Sequence, residues 1–561
     1  MQFDTQPSIL SRASLENPLY YLENLHTVIH WVSRHHRDLF HPEELDQLNA
    51  LINIPLSAQA LLARMVMRKG DIFRVDTLQY GEILSTKEAL DTLESAGFVD
   101  QAPSLDIQQL YQHCRHKELQ MLLTPAHHAA AKSARKTDLL PQLQDMAGGD
   151  LSRSLKRWWP NASFTIVALK CGVLMNRVRL MFFGNLYQDW SEFVLAELGH
   201  QVYETVEFKP ESRAFQHRQE VDQYLAIHAC YLHLANEVAI SDILPLCPDA
   251  LGNSWLEHRR QRLLFQLAQH AERRDDYTIA TALYSQSSLD EARVRHFRLL
   301  EKHRGGEAGA TLHTLEKSTA LTKRPEAQLH LARIAHRLRR KSGMASKAPL
   351  KMAIPSKTLT LENKGLRVEA AVLKSLTSHD AAVGFYTENW LFTGLFGLLF
   401  WPVLYEPLPG AFFHPFQSGP ADLFRPDFVQ RRSVQIKQRL TSLDTKEYRS
   451  LIMQCWQQKQ GVACTLIHWS ALSQELITLA LDLIPANHLK IVFQHLLSDL
   501  RHHRKGMPDL ILFDQYQRSY ELIEVKGPGD RLQDHQRLWI ESMLKAGLPV
   551  SVAEVVWEPI L

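Results

Sequence analysis

Two carboxylates and an ammonium group stand at informative spacing near the end of the chain. Pro508-Asp509 is followed by fourteen residues and then by Glu524-Val525-Lys526. Leu510, Ile511, Leu512 and Phe513 form a short apolar run, Gln515 to Ser519 a polar break, and Tyr520 to Val525 a second run. That pattern predicts a β-hairpin over 507–527 carrying an acid on each strand. Facing strands hold side chains about 5 Å apart, so Asp509 and Glu524 can share a cation. Glu524 and Lys526, two residues apart, emerge on the same face. The chemistry this suits is phosphodiester hydrolysis. Asp509 and Glu524 would hold Mg²⁺ or Mn²⁺, with the Val525 carbonyl as a further oxygen ligand. The cation would polarise a phosphoryl oxygen and acidify water, and Lys526 would orient that water or neutralise developing charge. Taken singly, an acid or a lysine at a strand end is more often a solvated surface residue; order and spacing carry the reading.

Pro-Asp, an apolar strand, then Glu-x-Lys within a second apolar strand resembles the PD-(D/E)xK nuclease superfamily. Glu524 to Leu532, with Asp534-His535-Gln536 and Trp539, resembles the virus-type replication-repair nuclease (VRR-NUC) module, and the whole of 499–539 resembles the Fanconi-associated nuclease family. Gly527-Pro528-Gly529 predicts a sharp exit from the catalytic strand. Asp530 is expected to cap a helix whose apolar face includes Leu532, Trp539, Ile540 and Leu544. Arg531 and Gln536 would flank the metal site. Upstream, Thr387-Glu388-Asn389-Trp390 before the apolar stretch Thr393 to Trp401 is similar to the same family, whose matching acid completes the metal site. The resemblance therefore implies Glu388 as a third ligand at the start of an apolar helix and, across a one-residue gap, Gln417 as a further active-site residue.

The elements behind these residues suggest an α/β multidomain chain. Its 561 residues allow about three domains, and 45% hydrophobic with 22% charged residues is ordinary for a folded protein. A net charge of +2 announces no nucleic-acid partner in bulk, so any such surface is a local patch. Six cysteines without CxxC spacing read as reduced thiols of an intracellular protein. The start carries no secretion signal. Trp390 to Tyr405 is almost continuously apolar but only sixteen residues long, a buried helix rather than a membrane span.

Residues 1–104 read as a helical, winged-helix-like domain, with helices through Trp31, over 43–51 and 57–67, a strand at Ile72 to Val75, and a helix opening at Ser85; a helical protein-interaction bundle fits as well. Residues 105–160 resemble a SAP-type DNA-binding helix pair, in which Lys132, Arg135 and Lys136 would contact phosphates, unless they form a solvated basic loop. Residues 161–345 turn helical with a tetratricopeptide-like hint; Phe164 to Ala168 reads as strand or helix, and Leu180 to Asn185 as a strand. The run Arg333, Arg337, Arg339, Arg340 and Lys341 is a solvated helix face or a stripe for a duplex backbone. Residues 346–561 form the nuclease domain, expected to have a mixed central sheet as in restriction endonucleases. There Arg431, Arg432, Lys437, Arg439, Arg501, Arg504 and Lys505 are candidates for phosphate contacts, and His502 and His503 for solvent or DNA.

Tyr20 to Asn24 and Arg68 to Asp76 look like the N-terminal region of the same family, so the resemblance covers most of the chain. It lacks the ubiquitin-binding zinc finger, as a bacterial member would. The family implies a structure-specific DNA endonuclease and 5′-to-3′ exonuclease that cuts near 5′ flaps and branched junctions in interstrand crosslink repair. Such a protein would be cytoplasmic and nucleoid-associated in a bacterium or nuclear in a eukaryote, without a membrane partner; the sequence names no protein partner. Flap choice would come from helical domains bending a junction, which kinks more easily than continuous duplex. A restriction-type or Holliday-junction-type endonuclease, and a non-enzymatic DNA repair scaffold, are the alternatives.

Overall fold

The computed structural model describes residues 17–123, 135–147, 152–197, 201–208, 212–303, 307–346, 352–378 and 382–558. The chain divides into two compact units. One comprises 1–202, 207–218 and 413–416, the other 203–206, 219–412 and 417–561.

In the first unit, helices Tyr20–His35, Pro42–Asn53, Leu56–Val66 and Thr86–Ser95 accompany a small antiparallel sheet. Its strands β1 (Ile72–Arg74), β2 (Val99–Asp100) and β5 (Ile166–Leu169) run in the order β1-β5-β2, and β3 (Ser104–Leu105) pairs separately with β4 (Arg153–Ser154). The helices and the strand at Ile72 are what the N-terminal pattern suggests, while the central strand β5 comes from beyond residue 104. Ser85 opens Thr86–Ser95 by accepting from the Glu88 backbone N–H, a standard N-cap. Helices Ile107–His113, His116–Leu123 and Leu139–Ala147 bury Leu110, Leu119 and Leu143 in one cluster. Leu180 to Asn185 is no strand. It ends the helix Gly172–Phe183, where Leu180, Met181, Phe182 and Phe183 are all buried. An apolar run closed by a glycine reads the same in either state; here Gly184 ends the helix at φ +66°, and a Cβ there would lie 2.2 Å from the Phe413 ring.

In the second unit, helices Ser254–Arg273, Tyr277–Gln286, Asp290–His303, Ala308–Thr319 and Pro325–Lys341 pack neighbour on neighbour, as a helical repeat does. A five-stranded mixed sheet follows. Its strands are β6 (Ser356–Leu361), β7 (Ala382–Tyr386), β8 (Leu510–Asp514), β9 (Ser519–Lys526) and β10 (Val550–Trp557), in the order β6-β10-β9-β8-β7. β10 lies parallel to both β6 and β9, whereas β8 is antiparallel to β9 and β7. The hairpin is thus the centre of the sheet. Helix Val368–Leu376 covers one face, where Val372 packs with Leu510, Ile523, Val525 and Ala553. It lies so close that a Cβ on Gly384 of β7 would meet Leu373 at 2.5 Å and Leu512 at 2.7 Å. The long apolar stretch becomes two helices, Leu391–Leu399 and Trp401–Leu404, and every residue of the first is buried. No single helix among the described residues is long and apolar enough to cross a membrane.

Candidate active site

The acids meet because three strand ends meet. Leu510 pairs with Ile523, and Tyr386 at the end of β7 pairs with Leu510. Asp509, one residue before β8, then sits beside the end of β9: its Oδ2 accepts from the Val525 backbone N–H at 2.8 Å. Its own carbonyl accepts from the Thr387 N–H at 2.8 Å, which brings Glu388 to the same place. Glu388 therefore lies in the turn between β7, a strand that escaped the sequence reading, and the apolar helix Leu391–Leu399. Asn389, next in line, takes a left-handed φ of +59°. Its side chain accepts from the Met507 N–H at 3.2 Å and donates to Glu388 Oε1 at 3.2 Å. The Tyr386 hydroxyl donates to Glu388 Oε2 at 2.5 Å.

Glu524 is wholly buried on β9. Lys526 Nζ donates to its Oε1 at 2.6 Å and Gln536 Nε2 to the same oxygen at 2.6 Å; Lys526 also donates to Gln536 Oε1 at 3.2 Å. Glu524 Oε2 is buried with no hydrogen-bond partner. A carboxylate oxygen in that state is expensive unless a proton or cation satisfies it. Burial pushes the Glu524 carboxyl up to about 7, reinforced by the charge of Asp509 and opposed by Lys526. Burial likewise pushes Asp509 up to about 6, opposed by the Val525 N–H and reinforced by Glu388 and by Glu369. Glu369, in the first turn of Val368–Leu376, is a fourth nearby acid that no motif announced. Among the described residues no three such side chains stand in ready coordination geometry; Tyr386 and Asn389 engage Glu388, and Lys526 and Gln536 engage Glu524. The donor set nonetheless fits a hard divalent cation: oxygen ligands, clustered negative charge and one orphaned buried oxygen.

Gln536 belongs to helix Asp534–Lys545, whose N-cap is Gln533 rather than the expected Asp530. Asp530 instead closes a turn on the Gly527 carbonyl, and Gly529 adopts φ +86°. Arg333 grips the first helical residue, Asp534, with two bonds of 2.5 and 2.7 Å, joining the last array helix to the helix that holds Gln536. Much of that basic run is paired locally, while Arg340 is exposed. Arg337 pairs with Glu301 and Arg339 with Glu316, which removes much of the free charge of a stripe.

The expected phosphate contacts separate in the structure. Arg432 is buried completely and pairs with the equally buried Asp422 at 2.8 and 3.0 Å, while Arg431 engages Asp422 and the Pro409 carbonyl. Arg432 is thus a structural cation, inaccessible to phosphate. Lys136 donates to the Cys114 carbonyl at 2.8 Å and tethers its helix pair, Arg135 is exposed, and Lys132 lies outside the described residues. Gln417 gives its amide to the Ala411 carbonyl at 3.0 Å rather than to the acids. His502 is held by Asp499 at 2.8 Å, and His503 bonds the His495 carbonyl and stacks on its ring. Lys437, Lys505 and Arg531 are exposed, and Arg439, Arg501 and Arg504 half-buried.

Known proteins agree with this architecture. The VRR-NUC domain model matches residues 444–557, and the model "FAN1, HTH domain" matches 19–100. The Fanconi-associated nuclease 1 homolog of Pseudomonas aeruginosa is 40% identical over 98% of this chain and 98% of its own length. The chain belongs to the Fanconi-associated nuclease family. The rice homolog is 23% identical, covering 95% of this chain and 62% of its own, and the human protein 32% identical over 31% of this chain and 18% of its own. A crystal structure of paFAN1 bound to 2nt 5′ flap DNA with gap superposes with a TM-score of 0.92 at 39% identity, covering 98% of this chain and 100% of that one. The chain is accordingly a DNA nuclease with a C-terminal VRR-NUC domain, of a type generally dependent on divalent metal.

Proposed function

We propose that this chain cuts DNA at 5′ flaps and branched junctions, hydrolysing phosphodiesters with Mg²⁺ or Mn²⁺ held by Asp509, Glu524 and Glu388 and by the Val525 carbonyl, and that it serves interstrand crosslink repair. The observation that carries the reading is Glu524: buried, half its carboxylate bonded to Lys526 and Gln536, the other half unsatisfied. The bound cation supplies Lewis acidity toward a phosphoryl oxygen and water. Lys526 holds a positive charge where negative charge develops on the phosphate. Gln536 is a positioning residue that orients Glu524 and Lys526 together, and Tyr386 and Asn389 do the same for Glu388. The near-complete overlap with a relative whose crystal structure holds flap DNA supports the junction substrate.

The test is cleavage of end-labelled 5′-flap, 3′-flap, duplex and single-stranded DNA with each metal, for the native chain and Asp509→Ala. Metal-dependent 5′-flap cutting abolished by the substitution is expected. Equal cutting of all four substrates refutes junction selectivity, and full activity of Asp509→Ala refutes the site.

A further inference from the structure

A cavity of about 320 Å³ opens immediately beside the catalytic acid Glu388, with the next two residues, Asn389 and Trp390, in its wall. Trp390 is 36% exposed and its indole lies almost parallel to the His468 ring, with centroids 4.7 Å apart and planes 11° apart. The Tyr386 ring, whose hydroxyl holds Glu388, meets Trp390 edge-on at 5.8 Å. Ile467 is buried in the wall, Thr465 is exposed there, and the side chains of Arg504 and Lys505 complete the lining. Arg504 is fixed over the Phe424 ring at 4.6 Å, and its Nε is buried without a hydrogen-bond partner.

A pocket with flat stacking surfaces, one apolar wall, a hydroxyl and two cations has the makings of a nucleotide site, in which bases stack on aromatic faces and cations follow the backbone. Its position selects the nucleotide. With a scissile phosphate at Glu388, a strand that runs on past Asn389 and Trp390 would place one neighbouring nucleotide at the cavity. Within a continuous duplex that base is stacked and paired; beside a junction it is already free or cheaply freed.

We propose that the Trp390–His468 cavity receives an unpaired nucleobase adjacent to the scissile phosphate, so that the site tests for local strand opening as it cuts. This rests on the reading that the chain cuts flap DNA. Stacking energies of about 1–3 kcal/mol per base correspond to a roughly 5- to 150-fold contribution to substrate selection, at about 1.4 kcal/mol per tenfold. The pocket thereby adds a preference for junctions at the active site itself.

The experiment walks a single abasic nucleotide across three positions on each side of the cut in a 5′-flap substrate. It measures kcat and KM for the full-length native chain, Trp390→Ala and Trp390→Phe. In the native chain one abasic position is expected to lower kcat/KM by about 5- to 150-fold. Trp390→Ala should lose a similar factor on intact DNA and become indifferent to the abasic position, and Trp390→Phe, which keeps a stacking face, should recover most of it. Normal cutting of the intact flap by the native chain with no sensitive abasic position overturns the pocket. Undiminished abasic sensitivity in Trp390→Ala overturns it too, because the lost base would then be read elsewhere. Failure of the native chain to cut the intact flap refutes the flap reading and, with it, this proposal. The abasic walk needs no variant, so poor folding of Trp390→Ala leaves that arm decisive.

Discussion

Without metal, Asp509 is a liability to the fold, and replacing it should stabilise the protein while abolishing cleavage. Its carboxyl rises from the ordinary 3.8 to about 6 because it is buried, with the charges of Glu388 and Glu369 adding to the effect. Each pKa unit corresponds to about 1.4 kcal/mol, so holding the charged form in the folded state costs up to about 3 kcal/mol above pH 6. Coupling to Glu524 and local relaxation lower this, and Asp509→Asn is expected to gain about 1–2 kcal/mol. A raised folded pKa means that the fold is favoured with the proton on. The penalty is absent below about pH 4, grows as pH rises from 4 to 6, and is full above it. The neutral amide can still accept from the Val525 N–H, so the backbone contact survives. The assay is thermal unfolding in EDTA between pH 4 and 8. For a unit of this size the gain amounts to a few °C at pH 8 and nothing at pH 4. Added Mn²⁺ should raise the midpoint of the native chain but not of the variant. A variant less stable than the native chain at pH 8, or a difference independent of pH, would refute the reasoning.

Lys526→Ala should lower kcat by about 10²–10³-fold, the usual loss on removing one group that meets transition-state charge, while flap affinity in EDTA changes little; single-turnover cleavage and a binding titration separate the two. Arg432→Met should destabilise the second unit by about 2–4 kcal/mol in urea, because Asp422 would be left buried with only Arg431. Weakened flap binding with unchanged stability would instead restore Arg432 to the DNA surface. Lys505→Ala should make the slope of log affinity against log salt shallower by about 0.9, the signature of one lost phosphate contact; an unchanged slope places Lys505 away from the backbone.

The catalytic hairpin was legible because its determinants are local. Two apolar runs, a polar break and the offsets of Asp509, Glu524 and Lys526 lie within twenty residues. Glu388 is 121 residues before Asp509 and reaches it only through the β7–β8 pairing, so family resemblance, not spacing, pointed to it. The same distance hid Glu369, Tyr386 and Asn389, whose roles exist only once the strand ends converge. Leu180 to Asn185 misled because a helix apolar on all sides has no period to distinguish it from a buried strand. Arg432 misled for the converse reason: a charged residue reads as surface unless its partner is known, and Asp422 sits ten residues away in sequence with no pattern linking them. The arginines of Pro325–Lys341 read as a solvated face or a stripe, without their partners, because Glu301, Glu316 and Asp534 lie on other helices.

The central claim is that the cluster around Glu524 binds a divalent cation and cuts DNA with it. The most direct measurement is Mn²⁺ binding by calorimetry, in parallel with 5′-flap cleavage, on the native chain and Glu524→Gln. Metal binding should weaken sharply and cleavage disappear together in the variant, because the neutral amide offers no charge to the cation and leaves the Lys526 ammonium without its carboxylate. Glu524→Gln that still cuts the flap at the native rate would contradict the account.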